Sequence, residues 1–190
     1  MKLDLRYELT IRDRQGRVLR RRRRLSRSYL TAFINLLNLQ MRGAINLATL
    51  DTGGVSRDAD YNALNFIAAA PLADATHGPV VGTGTTAVAI GDSALATQIA
   101  EGSGSGQLSH QVTTLTTPST VGSTRSFTLQ RVFINNSGAS ITVNECGIYI
   151  QGHDGTVTRY FCAVRDLVSP GVAIPNGGSG TLTYTISITA

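Results

Sequence analysis

The chain has 190 residues, of which 42% are hydrophobic, with two cysteines and no tryptophan. This length is enough for one domain of good size, or for one domain with an additional arm. The longest apolar stretch, residues 30–39, is interrupted by Thr31, Asn35 and Asn38. It is too short and too polar for a transmembrane helix, so the composition indicates a globular protein.

The charge is distributed unevenly along the chain. Residues 1–42 contain one lysine and eleven arginines against three acidic residues, a net charge of +9. Residues 43–190 contain five arginines against nine acidic residues, a net charge of −4. A pI near 9.7 is ordinarily typical of a nucleic-acid-binding protein. Here one basic segment attached to a mildly acidic body produces it.

The first residues have the pattern of a β-hairpin. Apolar and polar residues alternate from Leu3 to Ile11, which is the period of a half-buried strand. Residues 13–16 predict a turn, and residues 17–19 can start a short return strand. Residues 1–5 lack the apolar core and cleavage site of a secretory signal, so we expect assembly in the cytoplasm where the chain is made.

A helix is predicted after the basic run that follows this hairpin. From Ser26 the period changes, and one helical stripe carries the apolar side chains of Leu30, Phe33, Ile34, Leu37 and Met41. Ser26 or Ser28 can cap the N-terminus of the helix, and Gly43 follows its end. We therefore predict a basic N-terminal arm over residues 1–43, made of a strand hairpin, a basic hinge and one amphipathic α-helix.

The rest of the chain is predicted to be a loop-rich connector, residues 44–77, and a β-rich body, residues 78–190. The connector has two loop-like segments, 51–54 and 57–60, and one short strand candidate at 64–69. In the body, turns such as residues 135–138 separate the strand candidates, which are residues 80–81, 107–115, 126–134, 141–151, 157–168 and 182–189. This regular spacing predicts a mainly β fold, an antiparallel β-sandwich or jelly roll.

One hairpin of the body can be given a predicted register, and it places the two cysteines opposite each other. A three-residue loop at 153–155, with Gly155 in the left-handed conformation, sets Gly152 opposite Thr156. Cys146 then faces Cys162 on a mostly apolar face. We interpret them as buried, reduced neighbours, because a reducing cytoplasm disfavours the cross-strand disulfide that this register permits.

The residue patterns predict no catalytic, cofactor or metal site. His77, His110 and His153 lie in three separate contexts, and the cysteines lack the CxxC spacing of zinc and redox sites. The glycine-rich segments 82–84 and 102–106 lack the Lys-Ser/Thr of a phosphate loop and are predicted to be flexible loops. No serine lies in a nucleophile-elbow context. We therefore expect a non-enzymatic protein without a cofactor.

The most distinctive feature is a run of five arginines, Arg20, Arg21, Arg22, Arg23 and Arg24. Three interpretations are open. The run docks onto an acidic patch of a neighbouring subunit, which we favour; it is a solvated connector between hairpin and helix; or it binds nucleic-acid phosphates through its guanidinium groups. No aromatic residues are interleaved with the arginines, which argues against stacking on single-stranded bases.

A series of motifs resembles a known group of proteins. They are residues 80–86 (Val-Val-Gly-Thr-Gly-Thr-Thr), 92–99, 106–108, 127–133, 135–145, 147–149, 165–166 and 172–177, with a closing Thr/Ile strand. Together with the Ser-Arg-Ser before the helix, they resemble a widespread group of small structural proteins encoded among the virion genes of tailed bacteriophages. The resemblance spans most of the chain and implies a virion structural protein, without a functional residue or a defined position in the particle.

The predicted function combines this resemblance with the physical pattern. Few charges and free strand edges in the body favour lateral association, and the arm is of a kind that adds a strand or helix to a neighbour. We expect a homo-oligomer, such as a trimer or ring, that decorates or cements the capsid and contacts other virion proteins. Nucleic acid ranks lower as a partner, and no membrane partner is expected. The alternatives are a neck, tail, baseplate or fibre-attachment component, and a carbohydrate- or receptor-binding module.

Overall fold

The computed structural model describes residues 2–26, 29–42, 46–60 and 66–189, and it is mainly β. One helix, α1 (Thr31–Arg42), lies in these ranges. The strands are β1 (Lys2–Arg12), β2 (Val18–Ser26), β3 (Leu47–Leu50), β4 (Ser56–Ala59), β5 (Gly78–Gly82), β6 (Ser109–His110), β7 (Thr114–Leu115), β8 (Ser119–Val121), β9 (Thr124–Ile134), β10 (Ile141–His153), β11 (Thr158–Ile174) and β12 (Ser179–Thr189). The predicted mainly β class with one helix is confirmed.

Seven strands form the larger sheet, sheet A, in which β1 is an interior strand. The order is β2-β1-β12-β9, and the short strands β6, β7 and β8 each pair with β9. β1 pairs with β12 along its whole length of 11 residues. Four apolar residues of its alternating pattern, Leu5, Tyr7, Leu9 and Ile11, are buried. One face of β1 therefore belongs to the core, as the period of two predicts.

The smaller sheet, sheet B, packs against that inner face. Its order is β11-β10-β5, and β10 and β11 form a long antiparallel hairpin. One continuous core cluster joins Tyr7 and Tyr184 of sheet A to Val143, Phe161 and Val172 of sheet B. Two antiparallel sheets with a shared apolar core make a β-sandwich, which is the predicted architecture.

The N-terminal hairpin is not an arm, which corrects the predicted division into residues 1–43, 44–77 and 78–190. β1 lies between β2 and β12, so the first strand of the chain is part of the sandwich. The predicted connector also contains an antiparallel hairpin of β3 and β4, and β4 occupies a segment predicted as loop. A strand's period shows that one of its faces is buried, but it does not show which distant strand pairs with it.

Helix α1 packs on the sandwich through a face that overlaps the predicted stripe only in part. Ala32, Leu36 and Leu39 are buried, whereas Ile34 and Leu37, both assigned to the stripe, are 57% and 39% exposed. The prediction is right for Leu30, which is buried, and for Phe33, which packs against the core, and wrong for Ile34 and Leu37. Apolar residues surround most of the helix, so periodicity selects no single face.

Two further predictions about the helix concern its ends and its environment. Ser26 is the last residue of β2 and so does not cap the helix, while Ser28 and Gly43 lie outside the described residues. With 12 residues, α1 is short, and no helix in the described ranges has the length and apolarity of a membrane span.

Candidate interaction surface

The five arginines lie in a strand, so the predicted basic hinge is wrong. β2 is the edge strand of sheet A, and its Arg20, Arg22 and Arg24 lie opposite Ile11, Leu9 and Tyr7 of β1, respectively. Residues directly opposite in an antiparallel pair share a face of the sheet. Arg20, Arg22 and Arg24 therefore project on the inner face, beside the core, and the intervening Arg21 and Arg23 project on the outer face.

The outer edge of β2 is open over most of its length. Among the described residues, β2 forms a β-ladder with β1 alone. Its C-terminal end is tied to β11, because Arg24 Nη2 donates a hydrogen bond to the carbonyl oxygen of Ser169 (3.1 Å) and Ser26 Oγ donates to Asp166 Oδ1 (3.1 Å). The edge of β2 is free over residues 18–23. We call this segment and Arg24 together the arginine edge.

The guanidinium groups of the arginine edge outnumber the carboxylates beside them. Between described residues, one ion pair engages the run, Arg21 Nη2 with Glu8 Oε2 at 2.9 Å, and the hydrogen bond to Glu8 raises the pKa of Arg21. The Nε atom of Arg22 is buried and has no hydrogen-bond partner in the described part of the chain. The arginine edge thus carries positive charge that the described fold leaves uncompensated.

A polar groove of about 260 Å³ lies beside this edge on the outer face of sheet A. Arg6, Arg21 and Arg23 bring three guanidinium groups to the groove, against the single carboxylate of Glu8. Polar residues of β9 and β12, including Gln130 and Thr183, line the other side. The positive excess makes this groove complementary to an anionic group.

A second surface feature is a set of exposed apolar side chains on and beside α1, which we call the α1 patch. It comprises Ile34 and Leu37 of the helix, Ile90 (71% exposed) and Leu50 (43% exposed). The carbonyl of Ile90 accepts hydrogen bonds from the backbone N–H (3.1 Å) and the hydroxyl (2.9 Å) of Thr31, at the start of the helix. These exposed apolar side chains make the neighbourhood of α1 a candidate protein contact surface.

The buried carboxylate of Glu145 holds a loop onto sheet B. Glu145 lies in β10, is fully buried and accepts hydrogen bonds from the backbone N–H groups of Gly84 (3.1 Å), Ala96 (3.0 Å) and Thr97 (2.8 Å). A Cβ atom at Gly82 or Gly84 would collide with its side chain, so the close approach requires glycine there. The segment 82–84, predicted to be a flexible loop, is therefore anchored by a buried charge.

Arg165 of β11 completes this buried network. Its guanidinium donates to Glu145 Oε2 (2.9 Å) and Asp92 Oδ2 (2.6 Å), and also to the carbonyl oxygen of Thr86 (2.9 Å). Burial lowers the pKa of Arg165, but the hydrogen bonds to the two carboxylates outweigh burial, and the pKa is raised. The carboxylates and the guanidinium satisfy one another inside the protein.

The network joins segments that lie far apart in the sequence. Residues 80–86, 92–99 and 135–145 meet at Glu145, and Arg165 lies across from them in β11. These three segments therefore take part in the anchoring of a loop. Sequence reasoning missed these roles, although a single charged residue within an apolar strand, as at Glu145, is the signal of a buried ion pair.

Arg131 of β9 plays a similar structural part. Its side chain is fully buried and donates hydrogen bonds to the carbonyl oxygens of Gln111 (2.7 Å), His77 (3.1 Å), Pro71 (3.2 Å) and Asp74. Burial lowers its pKa. Through these backbone carbonyl groups, the guanidinium holds residues 71–79 and residue 111 against sheet A.

The three histidines have different side-chain partners or positions in the fold. His77 Nδ1 is 3.4 Å from Asp74 Oδ2, His110 Nδ1 is 2.9 Å from Glu101 Oε2, and His153 is the last residue of β10. Burial lowers the pKa of His77 and of His110, which favours their neutral forms. In the described ranges, no group of three or more His, Cys, Asp or Glu residues could hold a metal ion.

The predicted register of the β10–β11 hairpin is wrong, and so is the predicted cysteine pair. Cys146 lies opposite Asp166, and Cys162 lies opposite Tyr149. The last pair of the ladder joins residues 153 and 158, so the loop is longer than the predicted one, and a bulge after residue 148 shifts the register again. The predicted left-handed conformation of Gly155 is confirmed, with φ at 87°.

The two cysteines consequently face different parts of the core. Cys146 belongs to the main core between the sheets, where the hydroxyl of Tyr184 donates to its Sγ atom (3.3 Å). Cys162 belongs to a smaller cluster with Leu30 and Val80. Both are free thiols, and burial raises the pKa of each, so they are inert hydrophobic core residues.

A groove of about 360 Å³ contains two tyrosines and several polar side chains. Tyr149 and Tyr160 line it with Gln98 and Glu101. Tyr149 is only 2% exposed, and the ring of Tyr160 stacks on that of His77, with centroids 5.9 Å apart. Most of the aromatic surface in this groove is therefore already used by the protein itself.

Comparisons of the chain with models of protein families, with curated proteins and with solved structures found no match.

Proposed function

We propose that this chain is a non-enzymatic structural subunit of a tailed-phage virion, and that it decorates or cements the capsid. The observation that carries the proposal is the arginine edge, an open strand edge with uncompensated positive charge on a well-packed sandwich. Such an edge is a contact site for another macromolecule, because the outward backbone groups of residues 18–23 have no ladder partner in the described chain and four of its five arginines form no ion pair between described residues. The motif resemblance supplies the virion as the setting.

The buried charges support a structural role. Glu145, Arg165 and Arg131 belong to the residue types that often serve in catalysis, yet here they bind backbone groups and one another. The loops that they hold lie against the sheets as fixed parts of the sandwich. A subunit that must present the same surface at many positions in a particle benefits from such anchoring.

Self-association is proposed to use the α1 patch rather than the arginine edge. Pairing two β2 edges would set arginines opposite arginines, and like charges directly opposite each other are destabilising. The α1 patch is apolar and uncharged, with Ile34 and Ile90 more than half exposed. We expect the intact chain to form a closed homo-oligomer through this patch, and Ile34→Glu to weaken its assembly as measured by light scattering.

The test of the proposed function is to locate the chain in the particle. We expect it in gradient-purified virions at a fixed stoichiometry, and a low-resolution image to place it on the capsid surface. Its absence from purified particles would overturn the virion function. Density at the neck, tail or baseplate would replace decoration by the alternative role there, which uses the same contact surfaces.

A carbohydrate- or receptor-binding module is the second candidate, and the groove with Tyr149 and Tyr160 is the observation that favours it. Binding of glycans on an array that is lost in Tyr160→Ala would establish this function. Under our proposal the parent protein binds no glycan on the array, because the ring of Tyr160 already stacks on His77.

A further inference from the structure

We infer that the arginine edge is a strand-addition site for an acidic, extended segment of another protein. The inference deepens the proposed function, on which it rests for the identity of that protein as a virion component. It names the chemistry of the partner: a polypeptide strand that pairs with β2 and carries carboxylates on both of its faces.

The first step is the open backbone. β2 pairs with β1 on one side, and in an antiparallel ladder every second residue of an edge strand directs its N–H and C=O groups outward. Residues 18–23 precede the contacts of Arg24 and Ser26 with β11, so this part of the edge is accessible. An extended peptide can continue sheet A here through main-chain hydrogen bonds.

The second step is the distribution of the arginines over two faces. Arg21 and Arg23 lie on the outer face, while Arg20, Arg22 and Arg24 lie on the inner face. A strand added beside β2 continues both faces, so that its successive side chains meet both sets of guanidinium groups. A nucleic-acid duplex is too thick to follow both faces of one strand edge, and it would leave one set unused. The two-faced pattern therefore favours a polypeptide.

The third step is the unmet charge. Arg21 has Glu8 as a partner, whereas the other four arginines form no ion pair between described residues. The buried Nε atom of Arg22 lacks a hydrogen-bond acceptor among those residues. Carboxylates on an added strand supply acceptors at these positions. A second copy of β2 cannot do so, since it would bring five more arginines.

The experiment uses the full chain and a synthetic, fluorescently labelled peptide, Thr-Glu-Glu-Val-Glu-Glu-Thr, whose carboxylates fall on both faces of a strand. Two control peptides carry N-methyl groups at every second backbone nitrogen. One is methylated at the odd-numbered residues and the other at the even-numbered residues. They keep the charge but remove one set of ladder donors. We expect fluorescence anisotropy to show that the unmodified peptide binds at least tenfold more tightly than one of the two methylated peptides.

Protein variants test the two faces separately. We expect Arg20→Gln with Arg22→Gln, and Arg21→Gln with Arg23→Gln, each to weaken binding of the unmodified peptide at least fivefold. The matched control is Arg125→Gln with Arg159→Gln, which removes the same charge from β9 and β11, strands that do not pair with β2, and should change the affinity less than twofold. Circular dichroism of each variant establishes that its fold is retained.

The alternatives give different results. Equal affinity for all three peptides, or no peptide binding, would overturn strand addition. Tighter binding of a 20-base-pair DNA duplex than of the peptide at the same salt concentration would assign the edge to nucleic acid instead. Neither result bears on whether the chain is present in purified virions, so failure of this inference and failure of the proposed function are distinguishable.

Discussion

Among single residues, Glu145 shows how a charge becomes part of the interior of the sandwich. Its carboxylate receives three backbone N–H groups and one guanidinium, which together replace the hydration that it loses on burial. The same groups would otherwise be buried without partners. The cost of removing the carboxylate should therefore be much larger than that of removing an exposed one.

We predict that Glu145→Gln lowers the free energy of unfolding by about 3–5 kcal/mol, because it removes one of the two carboxylates that pair with the buried Arg165 and the charged acceptor of three backbone N–H groups. The matched control is Glu8→Gln, which breaks an ion pair whose Arg21 side chain is 65% exposed, and it should cost about 0–1 kcal/mol. Urea unfolding followed by circular dichroism measures both. An unchanged midpoint in Glu145→Gln would show that other contacts hold the loop.

At the scale of elements, α1 shows that an apolar pattern can leave the buried face of a helix undetermined. Leu36 is fully buried and Leu37 is 39% exposed, although they are adjacent and identical in chemistry. Packing against the sandwich determines which of the two leucines is buried. The exposed side of the helix is then available to the α1 patch.

We predict that Leu36→Ala destabilises the protein by about 2–5 kcal/mol, because it opens a cavity in the core. Leu37→Ala should change stability by no more than about 0.5 kcal/mol, since that side chain lies at the surface. Thermal and urea unfolding of the two variants measure the difference. Equal losses would restore the predicted stripe as the packed face.

The position of β1 in sheet A gives a prediction about the N-terminal segment. Deleting residues 1–42 removes an interior strand and uncovers one side of β12, together with the core that contacts Leu5, Leu9 and Ile11. We expect the truncated chain to be unfolded or aggregated in size-exclusion chromatography and circular dichroism. A soluble, folded β body from this deletion would instead support the predicted separate arm.

At the scale of the whole molecule, the core contains hydroxyl and thiol groups that cannot ionise without disrupting it. Burial raises the pKa of these groups above their ordinary values of 9.0 for cysteine and 10.0 for tyrosine, and they are Cys146, Cys162, Tyr7, Tyr149 and Tyr184. Below pH 9 the folded and the unfolded chain both keep these protons. As the pH rises further, the unfolded chain releases protons that the folded chain retains.

We predict that stability falls as the pH rises above about 9, and more steeply above about 10, because deprotonation favours the unfolded chain. Urea midpoints measured from pH 7 to pH 11 test this. Tyr184→Phe removes one of the buried phenols and should make the decline above pH 10 shallower. A midpoint that stays constant up to pH 11 would contradict the burial of these groups.

The sequence by itself determined the local structure of this protein. The alternation from Leu3 to Ile11 placed β1, the regular turns placed β9, β10 and β12, and Gly155 was assigned its left-handed backbone correctly. These features depend on side-chain period and on backbone sterics within a few residues, so they can be predicted from one sequence.

Only the tertiary structure decided which strands pair and which faces are buried. The arginine edge is a strand because its backbone pairs with β1, although we predicted a hinge from the five consecutive arginines. Bulges and the length of one loop moved Cys146 away from Cys162. Glu145 and Arg165 meet because β10 and β11 bring them together. Pairing, register and burial depend on contacts between residues far apart in the sequence, and local periodicity does not contain them.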